Sequence, residues 1–241
     1  MISVCMATYN GEKYLHQQVE SILSQLSEED EIIVSDDESS DSTLVVLQAF
    51  NDKRIKVFTH KRKTENVYWD YTTRNFENAL MHANGDYIFL SDQDDVFLPD
   101  KIRKMKSLLC NAYDLVICDC KICDGELKEL GKTQFETDIT KSYFDVFTRF
   151  RMLGCCMAFR KELLDKALPF PKTKAGHDLW LFLMAKYYGS IIYLHEPLHL
   201  FRRHENTVTT AGGKSHNSFL FRVSYRMIIL QSFLLRIIFG K

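Results

Sequence analysis

The sequence predicts an α/β fold with a mostly parallel central sheet flanked by helices. Three observations carry that prediction. The first sixty residues alternate short apolar runs with amphipathic patterns, as parallel strands joined by crossover helices do. The run Tyr87-Ile88-Phe89-Leu90 has no charged position, as in a strand covered on both faces. Polar motifs follow the first, second and central runs on their carboxyl side, where open α/β sheets bind ligands.

Taken in order, residues 2–7 read as the first strand, and Thr8-Tyr9-Asn10-Gly11 is turn chemistry. Leu15, Val19, Ile22, Leu23 and Leu26 then recur at helical spacing. A second strand over 31–35 runs into Asp36-Asp37-Glu38-Ser39-Ser40-Asp41. Ser40 or Asp41 suits the cap of the next helix, which carries Leu44, Val45, Leu47 and Phe50. A short third strand follows over 55–59. Residues 60–71 are polar and patternless and read as a loop. Phe76, Ala79, Leu80 and Ala83 mark a helix leading into the central strand.

Beyond the central strand, Pro99 fits the first turn of a helix running to about Cys110. A strand is predicted over 114–119. Residues 124–150 are weakly patterned and read as a mobile flap. A strand over 154–159, a short helix over 161–167, a break at Pro169-Phe170-Pro171, a helix over 175–188 and a late strand over 191–194 complete the pattern. The tail over 219–239 is rich in Phe, Leu and Ile, but Arg222, Ser224, Arg226, Gln231 and Arg236 interrupt it. A spanning helix needs about twenty nearly unbroken apolar residues, so the tail reads as an amphipathic helix. Two kinds of partner suit it: a membrane interface, or protein, either the rest of this chain or a second subunit.

An apolar fraction of 46% supports a substantial core. Thirty-one basic and 32 acidic residues leave a net charge of -1, which gives no electrostatic case for a nucleic-acid partner. No repeat or low-complexity run is present. The start, Met1-Ile2-Ser3-Val4, is strand-like and lacks the features of a signal peptide, so a cytoplasmic site of action is expected. The seven cysteines are odd in number and unevenly placed, which argues against a disulfide framework. Cys120-Lys121-Ile122-Cys123 has metal-ligand spacing, but no second pair completes a zinc site. Buried reduced thiols are expected.

The central motif is Ser91-Asp92-Gln93-Asp94-Asp95. Clustered acids repel one another, and burying them unpaired costs several kcal/mol. Oxygen ligands alone suit a hard dication such as Mg²⁺ or Mn²⁺. The alternative is an acidic turn capping the helix that starts near Pro99.

With Ala7-Thr8-Tyr9-Asn10 and Ser35-Asp36-Asp37-Glu38-Ser39, that motif resembles the family 2 glycosyltransferases, inverting enzymes of the GT-A (Rossmann-like) fold. The likeness extends through Gly154-Cys155 and His177-Asp178-Leu179-Trp180 to Arg202-Arg203-His204. Asn75-Phe76-Glu77 and His-Asp-Leu-Trp look most like the bacterial rhamnosyltransferase-type branch.

The resemblance implies a catalytic domain over 1–213, with a nucleotide-sugar half over 1–110, an acceptor half over 111–213 and the tail helix over 214–241. It implies that Asp36 and Asp37 read the nucleotide base and that Thr8 and Tyr9 line its pocket. Asp92 would sit near the ribose, with Arg74 on the donor side. Asp94, Asp95 and His204 would hold Mg²⁺ or Mn²⁺, and Arg202 and Arg203 would close over the diphosphate. Asp178 matches the base, and Gly154, Cys155 and Trp180 would face the acceptor.

A carboxylate accepting an imide N–H favours a UDP- or dTDP-sugar donor. The acceptor implied is a glycan or lipid-linked glycan of the cell envelope. Two departures touch the donor pocket: Glu38 stands where glycine is common, and Asn66-Val67-Tyr68-Trp69-Asp70-Tyr71 replaces a glycine-bearing segment before Arg74-Asn75. A sugar nucleotidyltransferase is the enzymatic rival, but the glycine-rich, lysine-bearing phosphate loop is missing. A catalytically silent nucleotide-sugar-binding subunit is the non-enzymatic one, against which the intact acids argue.

Overall fold

The computed structural model describes residues 1–61, 68–134, 152–172, 176–205 and 219–240. The chain opens with β1 (Ile2–Thr8), α1 (Glu12–Leu23), β2 (Glu31–Asp36), α2 (Thr43–Ala49) and β3 (Ile55–Thr59). Next come α3 (Tyr68–Met81), β4 (Tyr87–Asp92), the short β5 (Val96–Phe97) and α4 (Lys101–Asn111). Strands β6 (Leu115–Cys123) and β7 (Glu129–Thr133) follow. A 3₁₀ turn at Gly154–Cys156 leads into β8 (Met157–Arg160) and α5 (Lys161–Ala167). The described chain closes with α6 (His177–Tyr188), β9 (Ile191–Arg202) and α7 (Phe219–Phe239).

These strands form one sheet in the order β3-β2-β1-β4-β8-β6-β9-β5, with β7 paired to β6. The first four positions are parallel. Strand β8 then runs antiparallel to both β4 and β6, and β9 returns parallel to β6. The apolar run of β4 is covered on both faces: Ile88, Phe89 and Leu90 are fully buried. So are Val4, Cys5 and Met6 of β1 and Ile32, Ile33 and Val34 of β2. Leu15, Val19 and Ile22 of α1 and Phe76, Ala79 and Leu80 of α3 are buried in the same core. Each such Val, Ile, Leu, Met or Phe side chain contributes about 1.5–3 kcal/mol by leaving water. Gly85 precedes β4 because a Cβ there would lie 2.6 Å from the Ser3 amide nitrogen.

Register decides what this sheet presents. Thr8 pairs with Asp36, and Ala7 pairs with Asp92. The carboxyl ends of β1, β2 and β4 are therefore level, and the three polar motifs emerge side by side.

Four expectations need correction. The segment read as a loop over 60–71 already contains the first turns of α3, from Tyr68; buried Asp70 holds the Arg74 guanidinium one turn on, at 3.6 Å. Within the weakly patterned stretch, Glu129–Thr133 pairs with β6, while 135–151 lie outside the described residues. The strand expected over 154–159 begins only at Met157, after the 3₁₀ turn. The late strand does not stop at Leu194 but runs to Arg202. Pro197, which has no N–H for the ladder, falls opposite Asp119 where the register slips. That slip hides the second half of the strand from any simple alternation.

Helix α7 packs on α6: Phe233 meets the Trp180 ring edge-on at 6.4 Å, and Ile229 is fully buried. No helix of the described residues is long and apolar enough to cross a membrane. All seven cysteines are free thiols, and only Cys110 is exposed.

Candidate active site

The level strand ends define one side of the site. Thr8 donates its hydroxyl to Asp36 Oδ2 at 2.7 Å, and Asp36 also accepts the Ser39 hydroxyl and amide. Both oxygens of Asp36 thus tie the turn after β2. Its neighbour Asp37 is buried and faces His60 Nδ1 at 2.5 Å. Gln93 grips the turn after β1 from the other side. Its amide accepts the Tyr9 N–H at 2.9 Å and donates to the Tyr9 carbonyl at 3.0 Å. Tyr9 itself remains exposed, over the motif that β4 delivers.

The three acids after β4 part ways. Asp95 is sealed in: His199 Nε2 lies 2.7 Å from one oxygen, and the Arg202 N–H donates to the other at 2.9 Å. The buried ammonium of Lys101 completes this network, donating to the Cys155 carbonyl at 2.6 Å and lying 3.0 Å from His199 Nδ1. Asp95, Cys155 and His199 are the one His/Cys/Asp/Glu group among the described residues close enough to hold a metal. The Lys101 ammonium already supplies their positive charge.

Asp94 differs. Its side chain is 20% exposed, and its Oδ2 meets His204 Nε2 at 2.8 Å across 110 residues of sequence. Asp92 ends β4 with its carbonyl held by Gln18 at 3.2 Å. Burial, then repulsion from Asp95 and Asp94, pushes the Asp92 carboxyl well above the usual range. Burial and Asp94 do the same to Asp95. Crowded acids that take up protons in this way are what a dication relieves. The donor set suits Mg²⁺ or Mn²⁺: a partly exposed carboxylate and an imidazole converge, and phosphate oxygens would supply the rest of the sphere.

Arg202 does not sit in a closing loop. It ends β9, is buried, and donates to the carbonyls of Asp94 and Gly125 and to Gln17 Oε1, each at 2.6 Å. Its guanidinium also lies over the Tyr14 ring, 4.3 Å from the centroid. It therefore fixes the Asp94 backbone. Arg203, next in line, is exposed. Arg74 is bound to Glu77 Oε2 at 2.6 Å and to the Pro171 carbonyl, so its charge is turned toward the segment after α5.

The other side of the site is the start of α6. Asp178 lies in its first turn and accepts the Leu179 N–H at 2.7 Å. Burial raises its carboxyl to about 6, partly opposed by that backbone hydrogen bond. The His177 ring beside it lies tilted against Phe76, centroids 4.3 Å apart, and burial lowers its pKa to about 3, so it stays neutral. A Cβ on Gly154 would come within 2.5 Å of His177 Nε2. The Cys155 Sγ lies within 4.8 Å of an Asp95 carboxylate oxygen and a His199 ring nitrogen. Gly154 and Cys155 thus join the turn that carries Asp178 to the acid cluster.

Cys155 and Trp180, expected to face an acceptor, are both buried. Trp180 donates its indole N–H to the Ala167 carbonyl at 2.9 Å and belongs to the core. Sequence reasoning missed His199, Lys101 and Gln93. Lys101 had a signal, since it lies on the helical stripe of Met105 and Leu109, both buried. His199 had none, because the strand around it was not foreseen.

A family model described as Glycosyl transferase family 2 matches residues 3–168. The chain is 29% identical over 231 residues to dTDP-rhamnosyl transferase RfbG of Shigella flexneri, covering 86% of this chain and 74% of that protein. It is 31% identical over 186 residues to the UDP-Glc:alpha-D-GlcNAc-diphosphoundecaprenol beta-1,3-glucosyltransferase WfgD of Escherichia coli, covering 76% and 70% respectively. Among solved structures it is similar to S. aureus TarS 1-349 in complex with UDP-GlcNAc. The TM-score there is 0.73 at 19% identity, over 96% of this chain and 66% of that one. A mannosyltransferase from Pyrobaculum calidifontis, solved with GDP-Man and Mn2+, superposes with a TM-score of 0.61 at 17% identity, over 85% of this chain and 57% of that one. The fold is GT-A, and the chain belongs to glycosyl transferase family 2 as a glycosyltransferase.

Proposed function

We infer that this glycosyltransferase moves a sugar, with inversion, from a UDP- or dTDP-sugar to a glycan or lipid-linked glycan. The observation that carries the reading is the meeting of Asp94 and His204 at 2.8 Å beside the level ends of β1, β2 and β4. These two residues would hold Mg²⁺ or Mn²⁺. Such a cation offsets the charge that builds on a departing diphosphate, worth several kcal/mol. Residues 1–110 would supply the nucleotide side, with Tyr9 over the base, Asp37 toward it and Asp92 near the ribose. Asp36 and Thr8 shape that turn, Arg202 steadies Asp94, and the exposed Arg203 would close over the diphosphate.

Residues 111–213 would supply the acceptor side. Asp178 takes the proton from an acceptor hydroxyl as that oxygen bonds to the anomeric carbon. The bond from that carbon to the diphosphate breaks, and the diphosphate leaves with the electron pair. Attack from the opposite face inverts the configuration. Asp178 is suited to this because a carboxyl near 6 is ionised at neutral pH yet basic enough to accept a proton. Names of two relatives support the donor classes, since one is a dTDP-rhamnosyl and the other a UDP-Glc transferase.

Donor hydrolysis tests the reading. With MnCl₂ and a panel of UDP- and dTDP-sugars, one donor should release nucleoside diphosphate. Asp94→Ala should lower that rate about a hundredfold or more, and His204→Ala should raise the Mn²⁺ concentration needed. Full activity in EDTA, or in Asp94→Ala, would overturn it.

The lipid-linked acceptor of WfgD and the outer face of α7 also support contact with a membrane surface. Met227, Leu234, Leu235, Ile238 and Phe239 are exposed on that helix. Besides the buried Arg236, residues 219–241 contain Arg222, Arg226 and Lys241 and no acid, a balance suited to anionic lipid.

A further inference from the structure

Helix α7 reaches the turn that carries Asp178. The Gly176 N–H, just before α6, donates to the Tyr225 hydroxyl at 2.9 Å, across 49 residues of sequence. A Cβ on Gly176 would lie 2.8 Å from Asp178 Oδ1 and 3.0 Å from that hydroxyl. The Gly176 backbone is extended, with φ -63 and ψ 136, so glycine is needed there for space and not for conformation. Phenol and carboxylate therefore flank one backbone position with no room between them for a side chain.

We propose that Tyr225 is a positioning residue for Asp178, fixing the Gly176 turn so that the first turn of α6 aims the carboxylate and keeps water from its flank. This rests on the reading of Asp178 as the base. It makes α7 part of the active site and not only a surface attachment. Burial, with the Asp178 charge beside it, pushes the Tyr225 hydroxyl up, so it stays neutral at any working pH. The other titratable groups around this turn are His177 on α6, Asp70 on α3 and Arg226 on α7. His177 is neutral above about 3, and Asp70 and Arg226 carry opposite charges.

Carboxyl ¹³C NMR of the full chain tests the proposal, with the Asp178 signal assigned from Asp178→Asn. Tyr225→Phe keeps the ring and removes the hydroxyl. Water then gains the carboxylate, and the Asp178 titration should fall from about 6 by roughly half a unit or more. The rate of donor turnover should fall about tenfold, with the donor KM unchanged. Gly176 amide exchange in the unaltered protein needs no variant, and it should be slow. An unmoved titration, or a Gly176 amide that exchanges like an exposed one, overturns the proposal. Full turnover by Asp178→Asn would instead remove the base reading, and the two failures are distinguishable because the titration does not depend on turnover.

Discussion

Asp178 carries its charge in a place that resists it. Burial raises its carboxyl to about 6, and the pH consequences run in opposite directions for activity and stability. A base must be ionised, so turnover should rise with pH through about 6 and level off above it. A carboxyl raised in the folded state favours the protonated form there. Its stabilising share is complete below the ordinary carboxylate range and is lost as pH rises through about 6. Asp178→Asn should therefore lower turnover about a hundred- to ten-thousandfold, yet melt higher than wild type at pH 8. One pKa unit is about 1.4 kcal/mol, so the gain should be on the order of 1–3 kcal/mol, read by calorimetry. An unchanged melting temperature would mean that the carboxylate is solvated. At this scale Asp94 and His204 were legible as neighbours, and Asp178 as a candidate base, because a few residue types in fixed order resemble the family's motifs. The roles of Asp95 and Arg202 were not. Each is buried and bound on several sides by groups from distant segments, and sequence does not reveal burial of a charge.

Between elements, the joint that matters is where α4 and β9 meet the end of β4. Lys101 is fully buried and bridges the Cys155 carbonyl to His199, which in turn holds Asp95. Its ammonium also lies 3.7 Å from the centroid of the Phe97 ring. Lys101→Met fills similar space but leaves the carbonyl, imidazole and carboxylate without their cation. Removing one member of a buried charge network costs about 3–5 kcal/mol, and urea denaturation should show a loss of that order. A loss below about 1 kcal/mol would mean water takes the place of the ammonium. The early elements were legible because each carries its own period: α1, β2, α2 and β4 fall close to where the pattern puts them. The latter half of β9 was not. It exists because β6 offers a parallel partner beyond Pro197, and such a partner leaves no mark on the strand's own sequence.

At the scale of the molecule, α7 turns one face inward and leaves another apolar. Inside, Arg236 donates to the carbonyls of Lys166, Ala167, Leu168 and Pro169 and lies 5.3 Å from the Trp180 ring centroid. Outside are Met227, Leu234 and Ile238. The full chain should float with phosphatidylglycerol vesicles, less with phosphatidylcholine alone, and hardly at all when those three are changed to serine. Equal flotation of both proteins would remove the membrane contact, and a dimer lost in the serine variant would assign the face to a second copy. The amphipathic tail, the parallel strands and the polar strand ends were determined by the sequence itself, because periodicity and turn chemistry are local. The tertiary structure alone decided which acid stays open and which is sealed, and which face of the tail is covered. Those depend on charges and carbonyls brought together from parts of the chain that carry no local sign of one another.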